Sequence, residues 1–109
     1  MSTFSIHDLE NRLKARAEAS AEASYTRRLL DRGITHCAKK LGEEAVETAI
    51  AAIAEDRQRL IAECADLIYH LLVVMQARGI AFAEVEAALA ERTAQSGLQE
   101  KAARPNPPV

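Results

Sequence analysis

Residues 34–79 read ITHCAKKLGEEAVETAIAAIAEDRQRLIAECADLIYHLLVVMQARG, and this stretch decides the fold. Ile34, Cys37, Ala38, Leu41, Ala45, Ala49, Ala52 and Ile53 recur at helical spacing, which predicts a helix over 34–54 with one apolar stripe. Gly42 falls inside it. An interior glycine weakens a helix by about 1 kcal/mol relative to alanine, so a packing or access reason is expected there. Asp56 is a good N-cap for a second helix over 57–78, which Gly79 ends. The middle of that helix is apolar on nearly every side, from Leu60 and Ile61 through Leu67, Ile68, Leu71, Leu72, Val74 and Met75. Such a helix belongs in the centre of a bundle or at a subunit interface. The loop between the two is short, so they should pack antiparallel.

Working outward, Ser5 can cap a helix over 5–19 that carries Ile6, Leu9 and Leu13. Residues 20–33 are less regular. Ser24-Tyr25-Thr26 can start a short helix through Leu29 and Leu30, with Gly33 as its stop. A last helix over 82–94 carries Phe82, Val85 and Leu89, but Ala81 is a poor cap for it. The expected architecture is all-α: an antiparallel helical bundle in one domain, residues 1–94, followed by a polar tail, 95–109, ending in Arg-Pro-Asn-Pro-Pro-Val.

Composition narrows the function. Nearly half of the 109 residues are hydrophobic, but alanine dominates and aromatics are only 4%. Alanine removes little apolar surface from water, so a lone chain builds a thin core that a second copy would complete. A formal charge of −2 argues against a general nucleic-acid binder, while leaving a nucleotide substrate open, because a metal ion can neutralise phosphate. The N-terminus lacks an apolar signal-peptide core, and strictly apolar runs fall short of a membrane span. Cys37 and Cys64 form no CxxC and read as small reduced core residues of a cytosolic protein.

Two acidic pairs stand out: Glu44-x-x-Glu47, with Glu43 beside it, and Glu63-x-x-Asp66. Residues three apart share a helix face, so each pair can aim two carboxylates the same way. Both pairs lie roughly ten residues from the turn and should meet at one height. Glu63 and Asp66 sit on the most apolar helix, a poor place for a solvated face. Four clustered carboxylates raise one another's pKa values unless a cation lies among them. Magnesium, which takes oxygen ligands and shares its sites with phosphates, suits the set, and phosphoryl chemistry follows. The competing reading is structural: Lys39–Glu43 and Lys40–Glu44 form surface ion pairs, and the chain is a helical dimerisation module. A di-iron bundle is disfavoured because no Glu-x-x-His pair is present. Lys40 can contact phosphate or pair with Glu44. The hydroxyls of Ser24, Tyr25 and Thr26 can bind ligand, or cap and pack. His70 reads as a core residue outside the metal shell, and Tyr69 as packing. Lys101 and Arg104 can close over an anionic substrate or belong to a solvated tail, the second being the favoured reading.

Lys40-Leu41-Gly42-Glu43-Glu44-Ala45-Val46-Glu47, followed by Glu63-Cys64-Ala65-Asp66, resembles the ExxE…ExxD signature of the MazG-like all-α nucleoside triphosphate pyrophosphohydrolases. Ser24-Tyr25-Thr26 with Leu29 and Gly33, and the run Ala65-Asp66-Leu67-Ile68-Tyr69-His70-Leu71-Leu72-Val73, are similar to segments of one family within them, the phosphoribosyl-ATP pyrophosphatases. The resemblance covers about residues 5–93. It implies hydrolysis of phosphoribosyl-ATP to phosphoribosyl-AMP and pyrophosphate with Mg²⁺, the second step of histidine biosynthesis, in a cytosolic homodimer. Glu44, Glu47, Glu63 and Asp66 would then hold the metal. Glu43, Glu44 and Glu47 would serve catalysis, with Glu43 a further ligand, a base or a structural acid. Lys40, Ser24, Tyr25 and Thr26 would meet the substrate. Some relatives are fused to a cyclohydrolase; this chain would act alone or with a separate partner. A house-cleaning hydrolase of noncanonical nucleoside triphosphates shares the metal site and is the main alternative.

Overall fold

The computed structural model describes residues 3–94 together with Gly97 and Ala102. The remainder of the expected tail, including Lys101 and Arg104, lies outside the described residues. Among residues 3–94 five helices follow in order: α1 (Ile6–Ala17), α2 (Tyr25–Asp31), α3 (Ile34–Ala54), α4 (Arg57–Ala77) and α5 (Phe82–Thr93). No strand occurs among the described residues, and the fold is an all-α bundle.

Local chemistry sets most boundaries. The Ser5 hydroxyl accepts from the Asp8 N–H at 3.2 Å, and Asp8 accepts from the Ser5 N–H at 2.9 Å, a complete capping box. Ser24 caps α2 through the Arg27 N–H at 3.1 Å, and Asp56 caps α4 through the Arg59 N–H at 2.8 Å. Gly33 and Gly79 take φ of 90° and 68°, left-handed values that let the chain leave α2 and α4 without a Cβ clash. The poor cap at Ala81 is compensated by carboxylates. Glu84 accepts from the Ala81 N–H at 2.8 Å, and Glu10 of α1 accepts from the Phe82 N–H at 2.6 Å. One orphan donor of α5 is thus satisfied from across the fold.

The α3–α4 hairpin is the most extensive helix contact. The core lies at one end of it, where Leu13, Leu29, Cys37, Leu72, Val73 and Met75 are buried, with Ile6, Leu9, Tyr69 and Phe82 packed around them. The expected stripe on α3 needs correction. Cys37 is buried, but Ala45, Ala49, Ala52 and Ile53 are exposed. Residues with partial or full cover instead follow Cys37, Leu41, Glu44, Thr48 and Ala51. The reason is that Thr48 stitches the hairpin: its hydroxyl lies 2.8 Å from the Glu44 carbonyl and 3.2 Å from the Glu63 carbonyl. That turns the Val46–Ile50–Ile53 side outward. Gly42 also departs from expectation, since a Cβ built there meets nothing within 4 Å and no close approach requires glycine.

By length and composition α4 could cross a membrane. Glu63, Asp66 and His70 near its middle, facing a partner helix, mark it instead as the central helix of a bundle, because ionisable groups are costly in lipid.

Candidate metal and phosphate site

The hairpin brings the acids together. One carboxylate oxygen each from Glu44, Glu63 and Asp66 lie within 4.8 Å of one another. Glu47 stands outside that group of three but close enough to raise the carboxyl pKa of both Glu44 and Glu63. The four come from the first-noted pairs on α3 and α4, and they meet at the level of Thr48, where the backbones are tied.

The site has a closed and an open side. Glu63 is buried, with 4% of its surface exposed, and Glu44 is largely covered, while Glu47 and Asp66 are exposed. Oε2 of Glu44, Oε2 of Glu63 and Nδ1 of His70 are buried without a hydrogen-bond partner. Unpaired buried carboxylate oxygens are costly unless something fills the place of a donor. Burial pushes the Glu44 carboxyl pKa up, and Glu47, Asp66 and Glu63 push it further. Burial also raises Glu63; the Arg59 guanidinium, 2.9 Å from its Oε1, works against this, and Glu47 and Asp66 work with it. A hard divalent cation would satisfy the orphaned oxygens and offset the crowded charge, and an all-oxygen donor set fits it. These groups could therefore hold a cation with its outer side open to a phosphate.

Around this cluster the remaining candidates separate. Lys40 pairs with Glu43 at 3.3 Å, not with Glu44 as its i,i+4 spacing suggests. Glu44 instead faces His70, whose Nε2 is 4.0 Å from its Oε1. Glu43 stands outside the group of three, half-exposed, with Lys40. Ser24 is buried and its hydroxyl caps α2. Thr26 is buried, its hydroxyl 2.6 Å from the Tyr69 hydroxyl. Tyr25 is exposed, stacked on Tyr69 at 6.4 Å and set edge-on to His70 at 6.4 Å. Among the three hydroxyl residues, Tyr25 is thus the one facing outward beside the acids.

His70 is buried, as its reading as a core residue expected, but it also adjoins Glu44; burial followed by the Lys40 charge lowers its pKa, so the imidazole is held toward its neutral form. One neighbour escaped the sequence reading. Arg59 supplies a cation to Glu63, and the i,i+4 spacing of that pair was a usable signal.

The family model described as phosphoribosyl-ATP pyrophosphohydrolase matches residues 6–93. The chain is 64% identical over 104 residues to phosphoribosyl-ATP pyrophosphatase 1 of Bradyrhizobium diazoefficiens, covering 95% of this chain and 98% of the relative. It is 62% identical over 104 residues to the phosphoribosyl-ATP pyrophosphatase of Nitrobacter hamburgensis, covering 95% and 97%. It is 54% identical over 107 residues to that of Rhizobium meliloti, covering 98% and 100%.

Proposed function

Since this chain belongs to the phosphoribosyl-ATP pyrophosphohydrolase family, we propose that it hydrolyses phosphoribosyl-ATP to phosphoribosyl-AMP and pyrophosphate with Mg²⁺, as the second step of histidine biosynthesis in the cytoplasm. The observation that carries this reading is the convergence of Glu44, Glu63 and Asp66 oxygens within 4.8 Å, with two carboxylate oxygens buried and unpartnered. Structural acids would be expected to find donors; Oε2 of Glu44 and Oε2 of Glu63 have none.

Glu44, Glu47, Glu63 and Asp66 would hold the ion. Bound there, magnesium supplies charge stabilisation to the phosphate oxygens and the departing pyrophosphate. The chain's own groups do the rest. Glu44 and Glu63, fixed by burial and by Thr48, keep the donor set in one geometry. A carboxylate at the open rim, Glu47 or Glu43, accepts the proton of the water that adds across the α–β anhydride. Lys40, at the edge of the cluster, meets phosphate charge, and Tyr25 offers a hydroxyl and a ring face. Ser24 and Thr26 act indirectly, by holding the start of α2 and Tyr69 in place.

The discriminating experiment is pyrophosphate release by purified protein in Mg²⁺. Its kcat/KM for phosphoribosyl-ATP is expected to exceed that for ATP or modified nucleoside triphosphates by about 100-fold or more. The reverse order would point to a house-cleaning hydrolase.

We also propose a homodimer through the outer face of the hairpin. Val46, Ile50, Ile53 and Ile61 are 60%, 55%, 89% and 56% exposed, a large apolar surface for so thin a core. Ile50→Glu is expected to sediment as a single chain while keeping its helical circular dichroism; wild type is expected to sediment as two. An unchanged dimer in the variant would move the interface elsewhere.

A further inference from the structure

Beside the acid cluster lies a cleft of the opposite sign. Tyr25, Arg28, Leu29 and Arg32 of α2 with its C-cap, and His36 and Lys40 of α3, line a hollow of about 310 Å³. On α2 the contributing positions recur at helical spacing, so the two guanidinium groups share one face. Arg28 is held from behind: its Nε and Nη2 donate to the carbonyls of Ala21 and Glu22, which fixes the plane of the group. Arg32 has no acidic partner among the described residues; Asp31 beside it is taken by Arg27 at 2.9 Å. Planar guanidinium groups match phosphate oxygens two at a time. Burial, then the charges of Arg32, Lys39 and Lys40, keep His36 toward its neutral form, a donor and acceptor suited to a sugar hydroxyl.

Spacing says which phosphate this is. His36 and Glu44 are eight residues apart on α3, about 12 Å along the axis, with Lys40 midway. The far end of the cleft thus lies about two helical turns from phosphates gripped at the acid cluster, a span suited to a second anionic group on the same molecule. We propose that the Tyr25–Arg28–Arg32–His36 cleft binds the 5-phosphate and ribose of the substrate's phosphoribosyl group, and so distinguishes phosphoribosyl-ATP from ATP. The proposal rests on phosphoribosyl-ATP being the substrate.

The test uses Arg32→Gln and Arg32→Lys in the full chain with Mg²⁺, checked for unchanged thermal midpoint. Three quantities are measured: kcat and KM for phosphoribosyl-ATP, the inhibition constant of ATP, and the shift of the His36 ring resonances on titration with ribose 5-phosphate. The KM is expected to rise about tenfold or more in Arg32→Gln and less in Arg32→Lys, with no matching fall in kcat. ATP inhibition should be unaltered, and ribose 5-phosphate should move the His36 resonances in wild type but not in Arg32→Gln. An unchanged KM overturns the proposal. Equal weakening of ATP overturns it too, by assigning the cleft to the triphosphate. If wild type turns over no phosphoribosyl-ATP yet His36 responds to ribose 5-phosphate through Arg32, the cleft stands and the substrate reading falls.

Discussion

Glu44→Gln is expected to lose activity by a factor of about 100 to 1,000 while raising the melting temperature of the metal-free protein. The two effects have one cause. Glu44 is largely covered, one of its oxygens is buried without a partner, and its neighbours are Glu47, Asp66 and Glu63. Burial first and those charges second disfavour its ionised form. Glutamine keeps the shape, removes the charge and adds an N–H₂ donor that can serve a neighbouring carboxylate. The metal-free fold is relieved of repulsion, and the cation site loses a charged ligand. A purely structural acid predicts the opposite pair of results: lower melting temperature and intact turnover. Activity assays and melts with and without chelator therefore decide between the two roles with a single variant.

How much of this was legible in the sequence depends on the range of each interaction. The helix ends were readable because Ser5, Ser24 and Asp56 bond within three residues of themselves and Gly33 and Gly79 act through their own φ. The start of α5 was the obscure boundary because Ala81 has no capping side chain; Glu84 helps from three residues on, but Glu10, which serves the Phe82 N–H, lies 72 positions away. The acid cluster was legible for a geometric reason. Equal distances from a hairpin turn become equal heights in an antiparallel pair, whatever the side chains do.

Rotation about the helix axis was not legible. Alanine lies on several faces of α3, so apolar periodicity could not separate the face meeting α4 from the face carrying Val46, Ile50 and Ile53. A polar residue, Thr48, makes the choice by bonding to both backbones. Partner choice among side chains was equally hidden. Spacing allowed Lys40 to reach Glu43 or Glu44; the covered position of Glu44 beside His70 leaves Lys40 with Glu43. The pairing of Thr26 with Tyr69 spans 43 positions and removes a hydroxyl that spacing alone left free for ligand.

The acid cluster also fixes how stability should respond to pH and to metal. Glu44 and Glu63 have folded pKa values above the ordinary 4.5, which the unfolded chain retains. Below about 4.5 both states hold these protons and the cluster costs nothing. As pH rises past that value the unfolded chain releases protons that the folded chain keeps, and stability falls until the raised folded pKa values are passed. His70 works in the other sense: its pKa lies below 6.5, so acid destabilises the fold by charging a buried imidazole. Near pH 4 Glu44 is protonated in the fold, so His70, 4.0 Å away, meets an uncharged neighbour in wild type and Glu44→Gln alike. The expected result is a metal-free gap in thermal midpoint, Glu44→Gln above wild type, that is closed near pH 4 and widens toward neutrality. Magnesium should reverse it. At roughly 100 times its dissociation constant a ligand of the folded state contributes about 2.7 kcal/mol, roughly 10–20 °C for a domain of this size. The rise should shrink at acid pH, where protons compete for the same oxygens, and should largely vanish in Glu44→Gln. A midpoint indifferent to millimolar magnesium at neutral pH, in wild type and variant alike, would leave the cluster without its cation.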